Sequence, residues 1–481
     1  MAISPNYAPP VPQIGRSPVA DPEAGAFLKV GFGLLLLDTF LNVSRSLEIL
    51  TLHSGITLPY VATGIHALAF ILAFVTGGAR RLATNRTGIF LMLFTGWMLA
   101  CTPFSFWRGG SVQTILYQWM PSLVGFLAIG LLCSVRQCRM FASVLAFSTL
   151  TIALASFFLG TNQEGRFAFA SGTLGNANDL AMLLLLGAPF FLVPLLDSTD
   201  KRMIKYLALP AGLVVIAANF RTGSRAGLLA LITMTIVLFF TRSLMGKLKL
   251  AGALIALAAV LVVFIPSYSL YRYTTILNES TSAAEANSET YGSSALRREL
   301  LYESLMTTLE HPVFGLGPGV FAPAMAKEAA LQGKFANWKA THNTYTQVSS
   351  EMGIPGLLVY LAAIFCAFLD LLWVRRHSRE DASCNALALG ALLSMAGLSV
   401  SCFFGSNAYA AWVPILLGLS AMLRLNRQRD LEQKMNVRVA PASAQQAPKP
   451  MPARPVTQPA QAPAYAYRFL GRPRPVRARK G

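Results

Sequence analysis

Arginines and one histidine in the middle of this chain have side chains suited to handling phosphate and a proton. Arg221 and Arg225 flank Thr222-Gly223-Ser224, Arg297 and Arg298 are adjacent, and His342 lies in Thr341-His342-Asn343-Thr344-Tyr345. A guanidinium is planar, always charged, and donates two parallel hydrogen bonds to a phosphate. Exposed N–H groups at a helix start after Ser224 would add anion affinity. An imidazole takes up or releases a proton near neutral pH. Each feature also has a plainer reading. Arg221 and Arg225 could meet ordinary phospholipid headgroups, Arg297 and Arg298 could form a solvated face balanced by Glu299 and Glu303, and His342 could pack at a helix start.

Other polar residues stand near these in sequence. Glu351, in Ser350-Glu351-Met352-Gly353-Ile354-Pro355-Gly356, could cap a helix or orient a neighbour. In Gly172-Thr-Leu-Gly175-Asn-Ala-Asn178-Asp179, either Asn178 or Asp179 reads as an N-cap, or as a polar floor for a sugar diphosphate. His66 reads as a packing or polar helix contact. No Walker A pattern is present, and no closely spaced acidic pair suits Mg²⁺ or Mn²⁺. A phosphate-handling reaction would therefore lean on arginines, and no metal or other cofactor is expected. The six cysteines (Cys101, Cys133, Cys138, Cys366, Cys384, Cys402) include no CxxC pair and none lies in the long polar loop, so neither a disulfide framework nor a zinc site is indicated.

The elements that must position these groups are set by hydropathy. Of 481 residues, 54% are hydrophobic and 13% charged, against roughly 25% charged in soluble domains. That composition excludes a water-soluble globule of this length. About 20 apolar residues span the hydrocarbon core. Candidate stretches fall at 26–43, 57–76, 88–104, 112–133, 140–160 and 179–196, then at 203–219, 225–241, 248–266, 353–373, 384–404 and 407–424. The expected fold is an all-α polytopic membrane protein with about twelve transmembrane helices and one long periplasmic loop subdomain of short helices.

The formal net charge of +19 is distributed unevenly. Arg80, Arg81, Arg86, Arg136, Arg139, Lys201, Arg202, Lys205, Arg375 and Arg376 fall in alternate loops, which the positive-inside rule places in the cytoplasm, with both termini. Arg221, Arg225, Arg297 and Arg298 are exceptions, stranded on the outer side with His342. The basic residues thus set orientation rather than mark a nucleic-acid surface. The expected organisation is a disordered cytoplasmic N-terminus (1–25), transmembrane helices (26–266), the periplasmic loop subdomain (267–344), further transmembrane helices (345–424) and a basic, Pro/Ala-rich disordered cytoplasmic tail (425–481). The tail suits anionic inner-leaflet lipid or a specific partner.

Several of these pieces recur in one order. Gly175-Asn-Ala-Asn178-Asp-Leu-Ala181 precedes Thr222-Gly-Ser-Arg225-Ala-Gly; Arg297-Arg298 precede His311-Pro-Val-Phe-Gly-Leu-Gly-Pro-Gly319; then come His342-Asn-Thr-Tyr345 and Glu351-Met-Gly-Ile-Pro-Gly356. In this order the chain resembles the bacterial O-antigen ligase and O-antigen polymerase family of polytopic glycosyltransferases. The resemblance implies transfer of a glycan from undecaprenyl diphosphate to an acceptor hydroxyl at the periplasmic face of the bacterial inner membrane, in cell-surface polysaccharide biosynthesis. It implies a metal-independent, inverting reaction whose acceptor is lipid A–core, a growing polysaccharide or a protein. Arg225 and either Arg297 or Arg298 would clamp the diphosphate, with Arg221 as an extra clamp and His342 as base or acceptor-positioning group. Asn178, Asn343, Tyr345 and Glu351 would support them. A transporter or flippase of lipid-linked sugars is the rival reading, for which paired interrupted helices with midplane polar groups would be expected. A purely structural membrane subunit would have no use for the outer arginine–histidine set.

Overall fold

In hydrocarbon a chain must satisfy its own backbone polar groups, and Leu-, Ala-, Val- and Phe-rich stretches do so as helices. The computed structural model describes residues 25–54, 59–163, 166–170, 172, 174–264, 273, 289–333 and 338–439. Each apolar stretch marked in the sequence falls largely on a helix. Among the described residues, eight helices are long and apolar enough to cross a membrane, and Tyr60–Val75 and Arg225–Phe240 are shorter apolar helices. Outward faces carry large apolar side chains, with Phe74 71% and Phe240 75% exposed, as suits contact with lipid. The chain is an all-α polytopic membrane protein.

The helix Ala382–Ser401 lies at the centre, with most of its length buried. Its sequence alternates Leu with Ala, Gly and Ser, and small residues let neighbouring backbones approach closely. It packs against Ala177–Gly187, Arg225–Phe240 and Thr344–His377. A second group joins Ala26–Ser44 to Pro59–Val75 and Val135–Leu159.

Two interruptions have local causes. Pro189 and Pro194 break one span into Ala177–Gly187, a 3₁₀ turn at Ala188–Phe191, and Leu192–Leu196. The helix Thr344–His377 would be ~51 Å long if straight. Gly353 (φ 70°, ψ −178°) kinks it, which sets its first turns apart from the longer apolar stretch that follows.

The opposite end of that helix from His342 is tied by ion pairs. Asp370, fully buried, accepts from Arg86 Nε at 2.9 Å and from Thr87 Oγ1 at 2.9 Å. Arg139 pairs with Asp197 at 2.5 Å, and Arg427 with Asp381 at 3.0 Å. Arg86 and Arg139, which the sequence offers as orientation markers, thus also neutralise the buried carboxylates of Asp370 and Asp197.

The hydrophilic segment contributes Glu289–Glu310 and Phe321–Leu331. Both overlap the short helices expected there, while residues 267–272 and 274–288 of that segment lie outside the described residues, as do 1–24 and 440–481. One expectation is corrected. The tail reads as disordered from 425, but the last helix runs Trp412–Val439. Strong helix formers (Arg, Gln, Leu, Glu, Lys, Met) make up all of 425–435 except Asn426 and Asp430. The start of that stretch is anchored: Asn426 Nδ2 donates to the Leu132 carbonyl at 2.9 Å. By internal packing, residues to Asp430 form one unit and the chain from Leu431 a second. A two-stranded antiparallel hairpin, Thr161–Gln163 with Arg166–Ala168, was not foreseen.

Candidate functional site

The turn that carries His342 is built from short polar side chains. Asn343 is the N-cap of the following helix, its side-chain oxygen accepting from Tyr345 N at 2.9 Å and Thr346 N at 3.2 Å. Such caps are worth about 0.5–2 kcal/mol. His342 itself sits at φ 51°, a left-handed conformation that non-glycine residues seldom adopt. Its N–H donates to Ser406 Oγ at 2.9 Å, and Thr341 Oγ1 lies 3.2 Å from the same oxygen.

The loop between the last two long helices grips this turn from one side. Thr344 N donates to the Cys402 carbonyl at 2.7 Å, Thr344 Oγ1 to the Gly405 carbonyl at 2.6 Å, and Asn407 N to Thr344 Oγ1 at 3.0 Å. His342 is half-buried, and its pKa lies below the ordinary histidine value. Burial is the larger cause, because it penalises the imidazolium; the positive charge of Arg297 is the second. Arg297 therefore lies within electrostatic reach of the imidazole. Arg298, its neighbour, is exposed.

A second polar cluster meets at Asn178. Its Oδ1 accepts from Arg166 Nη2 at 2.9 Å and from Ser224 Oγ at 2.7 Å. Ser224 is the N-cap of Arg225–Phe240, accepting from Gly227 N at 3.2 Å. Asn178 thus fastens the start of one helix to the residue immediately before Arg225. The N-cap of its own helix is Asn176, whose side chain accepts from Asn178 N, and neither Asn178 nor Asp179 fills that position. Arg221 ends the preceding helix with its guanidinium 4.0 Å from the Phe167 ring centroid and 4.8 Å from that of Phe157. Its faces are held by cation–π contact.

Glu351 holds a third region together. One carboxylate oxygen accepts from Gly319 N at 3.0 Å and from the Tyr409 hydroxyl; the other accepts from Phe321 N at 3.3 Å. Backbone bonds run alongside, Leu316 N to the Ser350 carbonyl at 2.9 Å and Gly317 N to that of Glu351 at 2.8 Å. Ile354 N donates to the Pro312 carbonyl at 2.8 Å. A Cβ at Gly353 would overlap the Val313 carbonyl oxygen, so its positive φ and this close approach both require glycine. The His311–Gly319 and Glu351–Gly356 pieces are therefore two sides of one joint between the hydrophilic segment and the Thr344–His377 helix. Tyr345, near the start of the same helix, donates its hydroxyl to the Ser399 carbonyl at 2.8 Å and sets its ring 4.6 Å from that of Phe403.

The structure thus brings His342 into the field of Arg297, sets Arg225 beside the Asn178–Ser224 pair, and gives Asn178, Asn343, Tyr345 and Glu351 bonds that hold backbone in place. Sequence reasoning missed Arg166 and Ser406. Ser406 falls between the apolar stretches 384–404 and 407–424, and nothing in its spacing from His342 indicates a contact.

Comparison with known proteins bears on the same region. Residues 210–361 match the family model described as O-antigen ligase, a stretch that includes Arg221, Arg225, Arg297, Arg298, His342 and Glu351 but not Asn178. The chain is also similar to the teichuronic acid biosynthesis protein TuaE of Bacillus subtilis (strain 168), at 25% identity over 293 residues. That match covers 59% of this chain and 58% of the relative, so the chain spans less than two thirds of the relative's length. Both findings support the resemblance to the O-antigen ligase and polymerase family carried by the motifs.

Proposed function

We propose that this polytopic membrane protein, with its O-antigen ligase region, is a glycosyltransferase of cell-surface polysaccharide biosynthesis. It moves a glycan from undecaprenyl diphosphate to an acceptor hydroxyl at the periplasmic face of the bacterial inner membrane. The observation that carries the reading is the pairing of a half-buried His342, biased toward its neutral form, with the nearby charge of Arg297. A base must be unprotonated to accept a proton, and a departing diphosphate needs fixed positive charge. The O-antigen ligase match and the similarity to TuaE support the same reading.

In this reading Arg225 and Arg297 receive the charge that grows on the diphosphate as its bond to the anomeric carbon breaks. Both are held on structured elements, so little reorganisation accompanies the reaction. His342 accepts the proton of the attacking hydroxyl, which approaches from the face opposite the leaving group and inverts the anomeric centre. Arg221, clasped by two phenyl rings, keeps its guanidinium edge for a phosphate oxygen. No metal takes part: arginines supply the compensating charge.

The test is reconstitution in vesicles with an undecaprenyl diphosphate-linked glycan and, separately, lipid A–core, free polysaccharide or a protein acceptor. A covalent product with one acceptor is expected, absent in His342→Ala and Arg225→Ala variants that still insert. A ladder of lengthened glycan identifies a polymerase and a single block on lipid A–core a ligase. Movement of the donor across the bilayer with no covalent product would instead establish a flippase.

A further inference from the structure

Arg375 lies near the end of Thr344–His377, the helix that His342 precedes, and Arg242 follows Arg225–Phe240, the helix that Arg225 begins. At this end most part-buried arginines have a carboxylate. Arg139 pairs with Asp197 and Asp200, Arg86 and Arg424 with Asp370, and Arg427 with Asp381. Arg242 and Arg375 are half-buried too, yet neither makes an ion pair among the described residues. They lie within electrostatic range of each other, and the buried Nε of Arg375 has no hydrogen-bond partner. Like charges so placed repel, and a guanidinium cannot escape by losing its proton. Both are also held in place. A Cβ at Gly246 would stand 3.1 Å from Arg242 Cβ and 3.6 Å from its Cδ, so the stem of Arg242 fills the room that this glycine leaves. The Arg375 carbonyl accepts from Asn385 Nδ2 at 3.2 Å.

An apolar cavity of about 190 Å³ leads up to this pair. It lies where the 3₁₀ turn Ala188–Phe191 interrupts one span and where Ala208 and Gly212, one turn apart on Arg202–Arg221, present little bulk. Every described lining side chain is apolar except Thr235, whose hydroxyl donates to the Leu231 carbonyl of its own helix at 2.8 Å. Leu238 on the wall stands one turn before Arg242, and Leu250 one turn after Gly246, which Arg242 touches. Arg242 therefore caps the cavity's end. An engineered apolar cavity of about 150 Å³ takes up benzene, so this volume accepts a stretch of hydrocarbon chain.

We propose that this place binds an anionic membrane phospholipid, its phosphate shared by Arg242 and Arg375 and part of one acyl chain in the cavity. A phosphodiester accepts from two guanidiniums at once, and basic pockets between transmembrane helices take anionic head groups. The net charge of the pair favours a head group without an ammonium of its own. A free phosphate would meet the arginines but leave the apolar cavity unfilled. The site stands at the other end of the bundle from His342 and is no part of the transfer reaction. Its occupant bridges the far ends of the helices that carry Arg225 and follow His342, which it stabilises as any ligand of the folded state does.

The experiment is thermal unfolding of full-length protein in detergent micelles doped with phosphatidylglycerol, with phosphatidylethanolamine, whose head carries an ammonium, or with inorganic phosphate alone. Phosphatidylglycerol is expected to raise the melting temperature. Arg242→Gln and Arg375→Gln should each raise the concentration required roughly tenfold, the scale of one lost charge-assisted hydrogen bond. Without lipid both variants should be at least as stable as the unsubstituted protein, because one of two repelling charges is gone. In a second measurement, phosphatidylglycerol with a diazirine midway along its acyl chain should label 208–216 and 231–238 of the unsubstituted protein in vesicles. Thr235→Trp, which fills the cavity, should remove most of that label. Equal stabilisation by phosphatidylethanolamine or inorganic phosphate at matched concentration, a phosphatidylglycerol requirement unmoved in both arginine variants, or no label on those segments would overturn the proposal. Neither readout needs turnover, so failure here is distinguishable from failure of the transfer reading.

Discussion

Ser406 Oγ accepts the backbone N–H of His342 at 2.9 Å, across 64 residues of chain, and so holds the candidate base in a left-handed turn. The bond fixes the backbone rather than the imidazole, leaving both ring nitrogens outside this restraint. It ties the loop between the last two long helices to the candidate site.

Ser406→Ala should therefore impair turnover more than it impairs folding. Loss of this acceptor is worth about 1–2 kcal/mol in positioning, which corresponds to roughly a tenfold fall in kcat. Ser406→Thr should restore most of it. Steady-state transfer kinetics beside thermal unfolding in detergent would check the split; a fall in stability with kcat intact would deny Ser406 a positioning role.

The depressed pKa of His342 fixes the sign of a pH effect. A base with a lowered pKa stays neutral to lower pH than an ordinary histidine, so the acid limb of the rate profile should lie below about 6.5. Arg297→Gln removes the second cause of the shift, and the limb should move up toward the ordinary value. The same shift means that the unfolded chain binds more protons between the folded and unfolded pKa values. His342 thus contributes stability that is present above the unfolded value and lost as pH falls through the folded one. An acid limb that moves down in Arg297→Gln would contradict the electrostatic link.

The two loop arginines should separate by function. Arg297 acts electrostatically on His342, whereas Arg298 is exposed. Arg297→Ala should lower transfer by about 10²-fold, the scale of a lost oxyanion-type donor. Arg298→Ala should stay within roughly a factor of two, as surface charges usually do. Equal losses from both substitutions, measured as initial rates, would show that the diphosphate uses the pair.

Gly353 and Glu351 should report on stability rather than chemistry. Gly353→Ala forces a Cβ onto the Val313 carbonyl at a positive φ and should cost at least about 1–3 kcal/mol. Gly96→Ala, where an added Cβ meets nothing within 4 Å, should leave the melting temperature unchanged or raised. Glu351→Ala leaves the Gly319 and Phe321 N–H groups and the Tyr409 hydroxyl without their shared acceptor, and should cost about 2 kcal/mol or more. Unfolding midpoints in detergent distinguish these outcomes. A Glu351→Ala protein of native stability that has lost transfer would give Glu351 a chemical role instead.

By itself the sequence determined that this chain lies in a membrane, where its helices fall, and which arginines and histidine have reactive side chains. Those properties are local: a run of apolar residues either reaches across hydrocarbon or does not, and a guanidinium is charged wherever it stands. The motif order also sufficed for the family resemblance. Tertiary structure decided what the polar residues do. In the sequence Asn178 reads as a cap or as a polar floor for a sugar diphosphate, and Glu351 as a cap or as a group orienting a neighbour; their partners, Ser224 at 46 residues' separation and Tyr409 at 58, emerge only in the fold. Likewise the helical start of the expected tail is anchored through Asn426 to Leu132, 294 residues away. Hydrogen bonds between distant segments depend on how helices pack, and packing leaves no period or spacing along the chain. The same is true of Asp38 and His66, side chains on two different helices that meet at 2.9 Å while a third helix sets the Pro121 carbonyl oxygen 2.9 Å from the other ring nitrogen.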